Sequence, residues 1–145
     1  MKHIKSERGQ SLVELAISIF ILVYLLAGAV EFGLAFFQYV QLRDAAQEGA
    51  LYGSLNPPTS AGDTAKIDTI KDRAKNASSS PIDLAGDPSV TVDVLVTDGQ
   101  YCEGGSLQVT VSYPHQVFMP FMSQFIGSTV DLNAVVTDTI LSPIC

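Results

Sequence analysis

The pattern of apolar and polar residues divides the chain into one long apolar stretch and a mixed remainder. Nearly every residue between Leu12 and Phe37 is apolar, and the exceptions include the carboxylates Glu14 and Glu31. About 20 apolar helical residues cross a bilayer, and a carboxylate near either end of such a run can be reached from the interface. We therefore predict a membrane-spanning helix over residues 10–37.

The same helix is predicted to continue beyond the membrane over residues 38–55, because no proline interrupts the pattern before Pro57. Small residues recur at every fourth position, at Ala45, Gly49 and Gly53. This spacing lets another surface approach the helix closely. That surface is either the chain's own sheet or a neighbouring helix in a filament.

Residues 56–145 are predicted to form a globular α+β domain. A short helix begins at Asp63 or Thr64 and runs to about Ala77. The apolar period then changes to two, which predicts strands at about Val90–Thr97, at Leu107–Tyr113, where Pro114 ends the strand, and at about Val130–Leu141. The predicted fold is a long N-terminal transmembrane helix packed, with the short helix, on one face of a small antiparallel sheet.

Two other segments of the domain leave alternatives open. The crossover 117–126 is unusually apolar for a loop and is either core beneath the sheet or an exposed patch for a partner or membrane. Cys102 and Cys145 have no zinc-site spacing. An antiparallel third strand would end beside the loop that holds Cys102, so we predict a disulfide, with free thiols or an intermolecular bridge as alternatives.

Charge is distributed unevenly along the chain. The formal net charge is −7, yet three basic residues, Lys2, Lys5 and Arg8, precede the apolar run. The positive-inside rule then predicts a single-pass protein of the inner membrane. Its N-terminus lies in the cytoplasm, and its C-terminal domain lies on the periplasmic or extracellular side. An acidic domain does not recruit nucleic acid through phosphates. A secretory signal would carry its small residues after the apolar core, so this segment is expected to be retained.

The residues around Gly9 resemble a known processing site. Gly9 followed by Gln10-Ser11-Leu12-Val13-Glu14 resembles the prepilin peptidase site of type IV pilins. The longer stretch 8–16 is, together with two further blocks, similar to the TadE-like pseudopilins of the tight-adherence (Flp) pilus system. Those blocks are Glu31-Phe32-Gly33 and Ala45-Ala46-Gln47-Glu48-Gly49-Ala50. The resemblance covers about residues 8–54, and this chain lacks the basic residues that the family often has near Gln47 and Leu51.

The resemblance implies cleavage after Gly9 by prepilin peptidase, which removes a leader of residues 1–9 and frees the amine of Gln10. Glu14, one helical turn further on, would pair with that amine within or between subunits. The alternative is an interfacial carboxylate favoured by the helix dipole. Glu31 would either pair with a partner subunit or platform protein, or lie solvated in the headgroup region.

The resemblance further implies a pilin-like subunit that contacts other pilin subunits, an inner-membrane assembly platform and membrane lipid. A minor pilin is favoured because major pilins of that system are much shorter. The alternatives are a major filament subunit and a membrane-anchored binding module that does not assemble. We expect no enzyme, cofactor or metal, since His115 is the only histidine outside the leader and no nucleophile elbow or phosphate loop is present.

Overall fold

The computed structural model describes residues 8–119 and 122–142 and confirms the predicted α+β class. The elements are α1 (Arg8–Leu55), α2 (Thr64–Lys75), β1 (Thr91–Val96), β2 (Ser106–Gln116), α3 (Ser123–Ile126) and β3 (Thr129–Thr139). The strands form one antiparallel sheet in the order β1-β2-β3. Helices α1 and α2 contact one another, and both contact the sheet.

Helix α1 has two halves with opposite surroundings. Residues 9–23 are exposed on every side of the helix, and the segment is long and apolar enough to cross a membrane. Beyond Gln41, one face of the helix is fully buried at Leu42, Ala45 and Ala50. The first half therefore exposes an apolar surface of the kind that contacts lipid or other helices. The second half belongs to the core of the domain.

The small residues of α1 pack against the chain's own sheet and second helix. A Cβ atom built on Gly53 would lie 2.6 Å from Leu107 Cδ2 of β2 and 3.1 Å from Ile70 Cδ1 of α2. A Cβ atom on Gly49 would lie 3.0 Å from Ala74 Cβ. The absence of side chains on α1 is what lets two elements approach it at this point.

Strand β2 continues through Pro114, which corrects the prediction that this proline ends the strand. The last residue of β2 that pairs with β1 is Ser112, opposite Thr91. From there to Gln116 the strand has only β3 as a neighbour, and Pro114 lies opposite Asp131 in that ladder. Proline is tolerated where one edge of a strand is unpaired, because the missing N–H breaks no ladder there.

The ends of the shorter elements agree with the local signals in the sequence. Asp63 caps α2 by accepting a hydrogen bond from the backbone N–H of Lys66. The backbone N–H of Thr59, 3.0 Å from the same carboxylate, lowers the pKa of Asp63. This hydrogen-bonded carboxylate joins the loop that follows α1 to the start of α2.

The third strand ends beside the loop that holds Cys102, as predicted. Ile140 donates from its backbone N–H to Gly105 O at 2.7 Å and accepts from Gly104 N–H at 2.9 Å. Cys145 lies outside the described residues. The Cys102–Cys145 disulfide therefore stays a prediction, supported by where β3 ends.

Candidate anchoring and assembly site

The start of α1 presents the predicted processing site. Gly9 and Gln10 lie in the first helical turn and are exposed, and no atom would lie within 4 Å of a Cβ on Gly9. Glu14 follows Gln10 after one turn, about 6 Å along the axis. It is exposed and forms no ion pair with any residue that the structure describes. Leader residues 1–7 lie outside the described residues, so the cleavage and pairing stay predictions.

Glu31 lies in a very different environment, since only 4% of the residue is exposed. Its Oε1 atom accepts hydrogen bonds from His115 Nε2 at 2.9 Å and from the backbone N–H of Phe118 at 3.1 Å. Its Oε2 atom accepts from the backbone N–H of Met119 at 3.2 Å. Glu31 is therefore not solvated within the subunit, which corrects the prediction of a solvated headgroup charge. Its pairing with a partner subunit or platform protein stays a prediction.

His115 completes this buried cluster. It is 1% exposed, and its Nδ1 atom lies 2.6 Å from Gln38 Oε1. Each ring nitrogen therefore lies within hydrogen-bonding distance of an oxygen atom. A buried carboxylate is costly unless paired and hydrogen-bonded. The Glu31–His115–Gln38 cluster satisfies these groups and fastens the end of β2 to α1.

Sequence reasoning missed this cluster because its members are far apart in the chain, and His115 follows Glu31 by 84 positions. One signal could have found the histidine. His115 continues the alternation that buries Leu107, Val109 and Val111 on the inner face of β2. A histidine at an inward position needs polar partners, and Glu31 is the carboxylate in the apolar part of α1 closest to the domain.

Two large side chains of the apolar crossover after β2 are on the surface and not in the core beneath the sheet. Phe118 is 67% exposed and Ile126 is 49% exposed. Met122 Cε of the crossover is 3.9 Å from the position of a Cβ on Gly28, so Met122 lies beside α1. The exposure of Phe118 and Ile126 favours the predicted surface patch, whose contact with a partner or a membrane stays a prediction.

A second buried polar contact was also not predicted. Gln41, which is 6% exposed, donates from Nε2 to Ile82 O at 2.6 Å and accepts from Ile82 N–H at 2.9 Å. Its Nε2 atom also lies 3.0 Å from Ser78 Oγ. The Gln41 amide thus pairs with both backbone groups of Ile82, as a neighbouring strand would. It holds the loop that follows α2 against α1. In the part of the chain that the structure describes, no group of three or more His, Cys, Asp or Glu residues could hold a metal ion.

One family model matches the N-terminal part of the chain, within α1. The family model described as TadE, TadE-like protein, matches residues 9–51. This segment is TadE-like. The match includes Gly9, Glu14 and Glu31, and it ends within α1, so that the TadE-like segment comprises most of the long helix and none of the sheet.

No curated protein and no solved structure matches the chain significantly. The TadE-like segment supports a pilin-like protein associated with the tight-adherence pilus. Its long apolar helix is consistent with a single-pass membrane anchor.

Proposed function

We propose that the chain is a minor pilin-like subunit of a tight-adherence pilus, inserted in the cytoplasmic membrane through α1 and cleaved after Gly9. The observation that carries this proposal is the division of one continuous helix into an exposed apolar half and a half that forms the domain core. The exposed half lies entirely within the TadE-like segment. Such a helix can lie in lipid first and beside other helices afterwards.

Processing is supported by the access that the structure gives to the scissile bond. The Gly9–Gln10 bond lies at the start of the helix, and both residues are exposed. A peptidase needs the backbone extended at this bond, so the first turn must unwind. Few interactions oppose this, because the end of a helix frays at low cost.

Assembly is supported by the contrast between the two carboxylates of the apolar helix. Glu31 is satisfied within its own subunit, whereas Glu14 is exposed and makes no ion pair among the described residues. A carboxylate in an apolar environment is stabilised by an opposite charge. The new amine of Gln10 supplies that charge, and pairing between neighbours fixes their axial offset. Glu14, and not Glu31, is therefore the intersubunit residue.

N-terminal sequencing of the protein from envelope and sheared-fibre fractions tests this function. The wild-type chain should begin at Gln10, and Gly9→Val should retain the leader and disappear from the fibres. Gly33→Val is a matched control, since Gly33 is also a helical glycine with nothing within 4 Å of its Cβ position. It should be processed normally.

The other outcomes separate the rival functions. A mature chain that keeps its leader in every variant would show a membrane-anchored module that does not assemble. Fibres composed of this chain alone would show a major subunit. A minor pilin predicts fibres in which this chain is present at a small fraction of the main subunit.

A further inference from the structure

The described part of the crossover between β2 and β3 includes Met122, which lies beside a residue of α1 within the predicted membrane span. About 20 helical residues cross the hydrocarbon core. Counted from Leu12, the span ends at Glu31, and counted from Leu15 it ends at Leu34. Gly28 is then about 4–9 Å inside the outer boundary at 1.5 Å per residue. Met122 Cε lies 3.9 Å from the position that a Cβ on Gly28 would take, so this part of the domain reaches below the boundary.

The burial of α1 shows the same reach independently. Within the apolar run, Tyr24, Ala27 and Gly28 are half-buried, whereas their neighbours on the other faces are exposed. These positions lie on the helix face that continues through Glu31 to Gln38. The covered stripe thus extends from the domain down into the segment proposed to lie in lipid.

The crossover also has the composition of a segment in contact with lipid. No charged residue occurs between His115 and Asp131, in a chain of which 16% is charged. Phe118 and Ile126 expose large side chains, and they continue the apolar surface of α1. An interface with a water-soluble protein would carry a polar rim, whereas this patch adjoins the lipid-facing helix directly.

N–H groups in lipid need partners within the protein, and several described N–H groups in and beside the crossover have them. Glu31 accepts the N–H groups of Phe118 and Met119. Five further donors have backbone acceptors: Val117 with Ser128 O, Met122 with Met119 O, Ser123 with Met119 O, Ile126 with Met122 O and Gly127 with Ser123 O. Glu31 therefore binds backbone N–H groups of the crossover as well as His115.

We propose that the described crossover, residues 117–119 and 122–126, is a second lipid-contacting element that rests in the outer leaflet beside α1. It holds the domain against the membrane surface in one orientation, with the Glu31–His115–Gln38 cluster as its polar attachment to the helix. The proposal rests on the proposed membrane anchoring by α1, and the test must separate the two.

Fluorescence of single tryptophans provides that test, because the natural chain contains none. The full chain is reconstituted in phosphatidylcholine vesicles with bromine atoms at shallow or deep acyl positions. Phe118→Trp and Ile126→Trp report on the crossover at two exposed positions. Phe20→Trp, 66% exposed, reports on the middle of the apolar run, and Leu95→Trp, 60% exposed on the outer face of β1, is the aqueous control.

The control is well separated from the crossover. Leu95 lies near Leu107, which contacts Gly53, and Gly53 is about 38 Å beyond Gly28 along α1. Both crossover tryptophans should show blue-shifted emission, stronger quenching by shallow than by deep bromines, and a severalfold lower quenching constant with aqueous iodide than Leu95→Trp. Phe20→Trp should respond most to deep bromines.

The two proposals fail differently. Crossover tryptophans quenched by iodide as strongly as Leu95→Trp, while Phe20→Trp is quenched by lipid, would overturn the lipid-contacting crossover and leave the anchor intact. A Phe20→Trp chain that is quenched by iodide and not by bromines would overturn both. Ile126→Trp carries the test by itself if Phe118→Trp does not fold.

Discussion

Replacing His115 by alanine removes the only side chain that pairs with Glu31 among the described residues. The variant leaves Glu31, a residue that is 4% exposed, with two backbone donors and without the imidazole donor. Removing one partner of a buried hydrogen bond costs about 1–3 kcal/mol, and more when the group left behind is charged. The energy is lost at the junction of α1 and β2, so we expect the sheet to detach from the helix at a lower denaturant concentration.

The size of the effect can be ordered within the cluster. Glu31→Ala should cost more than His115→Ala, because it also leaves the N–H groups of Phe118 and Met119 without an acceptor, at about 1–3 kcal/mol each. Gln38→Ala removes one hydrogen bond from a half-buried side chain and should cost about 1 kcal/mol. The expected order of destabilisation is therefore Glu31, His115, Gln38.

The assay is urea unfolding of the full chain in detergent micelles, followed by the circular dichroism of the sheet. Gln116→Ala is the matched control, because Gln116 is the exposed neighbour of His115 on the same strand. Such surface changes alter stability by about 0.5 kcal/mol or less. If His115→Ala and Gln116→Ala unfold at the same urea concentration, the cluster does not hold the domain to the helix.

Three further predictions concern the domain. Gly53→Ala should destabilise it by about 1–3 kcal/mol through overpacking, since the new methyl group would lie 2.6 Å from a leucine methyl carbon of β2; Gly33→Ala, with open space around it, should be neutral or stabilising in the same urea titration. The lowered pKa of Asp63 contributes stability that is full above its ordinary value and is lost as pH falls through the folded value. Asp63→Asn keeps the cap and should therefore flatten the acid limb of a stability–pH profile, and an unchanged limb would contradict the assignment. Gln41→Ala should lower the free energy of unfolding by about 1–3 kcal/mol. It should also accelerate hydrogen exchange at the Ile82 amide, which Gln41 binds at 2.9 Å; unchanged exchange would show that Gln41 does not hold this loop.

Signals confined to a few neighbouring residues were enough to predict most elements. Fixed backbone periods predicted the apolar run of α1 and the alternation in β1 to β3. Local signals predicted where the helices end and begin: the prolines after α1 and the cap at Asp63. The alternation predicted an antiparallel sheet with one half-buried face, and this arrangement placed the end of β3 beside the Cys102 loop correctly. The TadE-like segment was identified from motifs within α1 for the same reason.

Tertiary structure decided two features that depend on which distant residues meet. Pro114 was predicted to end β2, yet it stays in the strand because β1 stops pairing at Ser112. The fate of Glu31 depended on His115, 84 positions away, and on two backbone N–H groups of a crossover that has no period of its own. A local pattern states which face of an element is apolar, whereas the partner of that face is set by chain topology, and only the folded chain brings such groups within hydrogen-bonding distance.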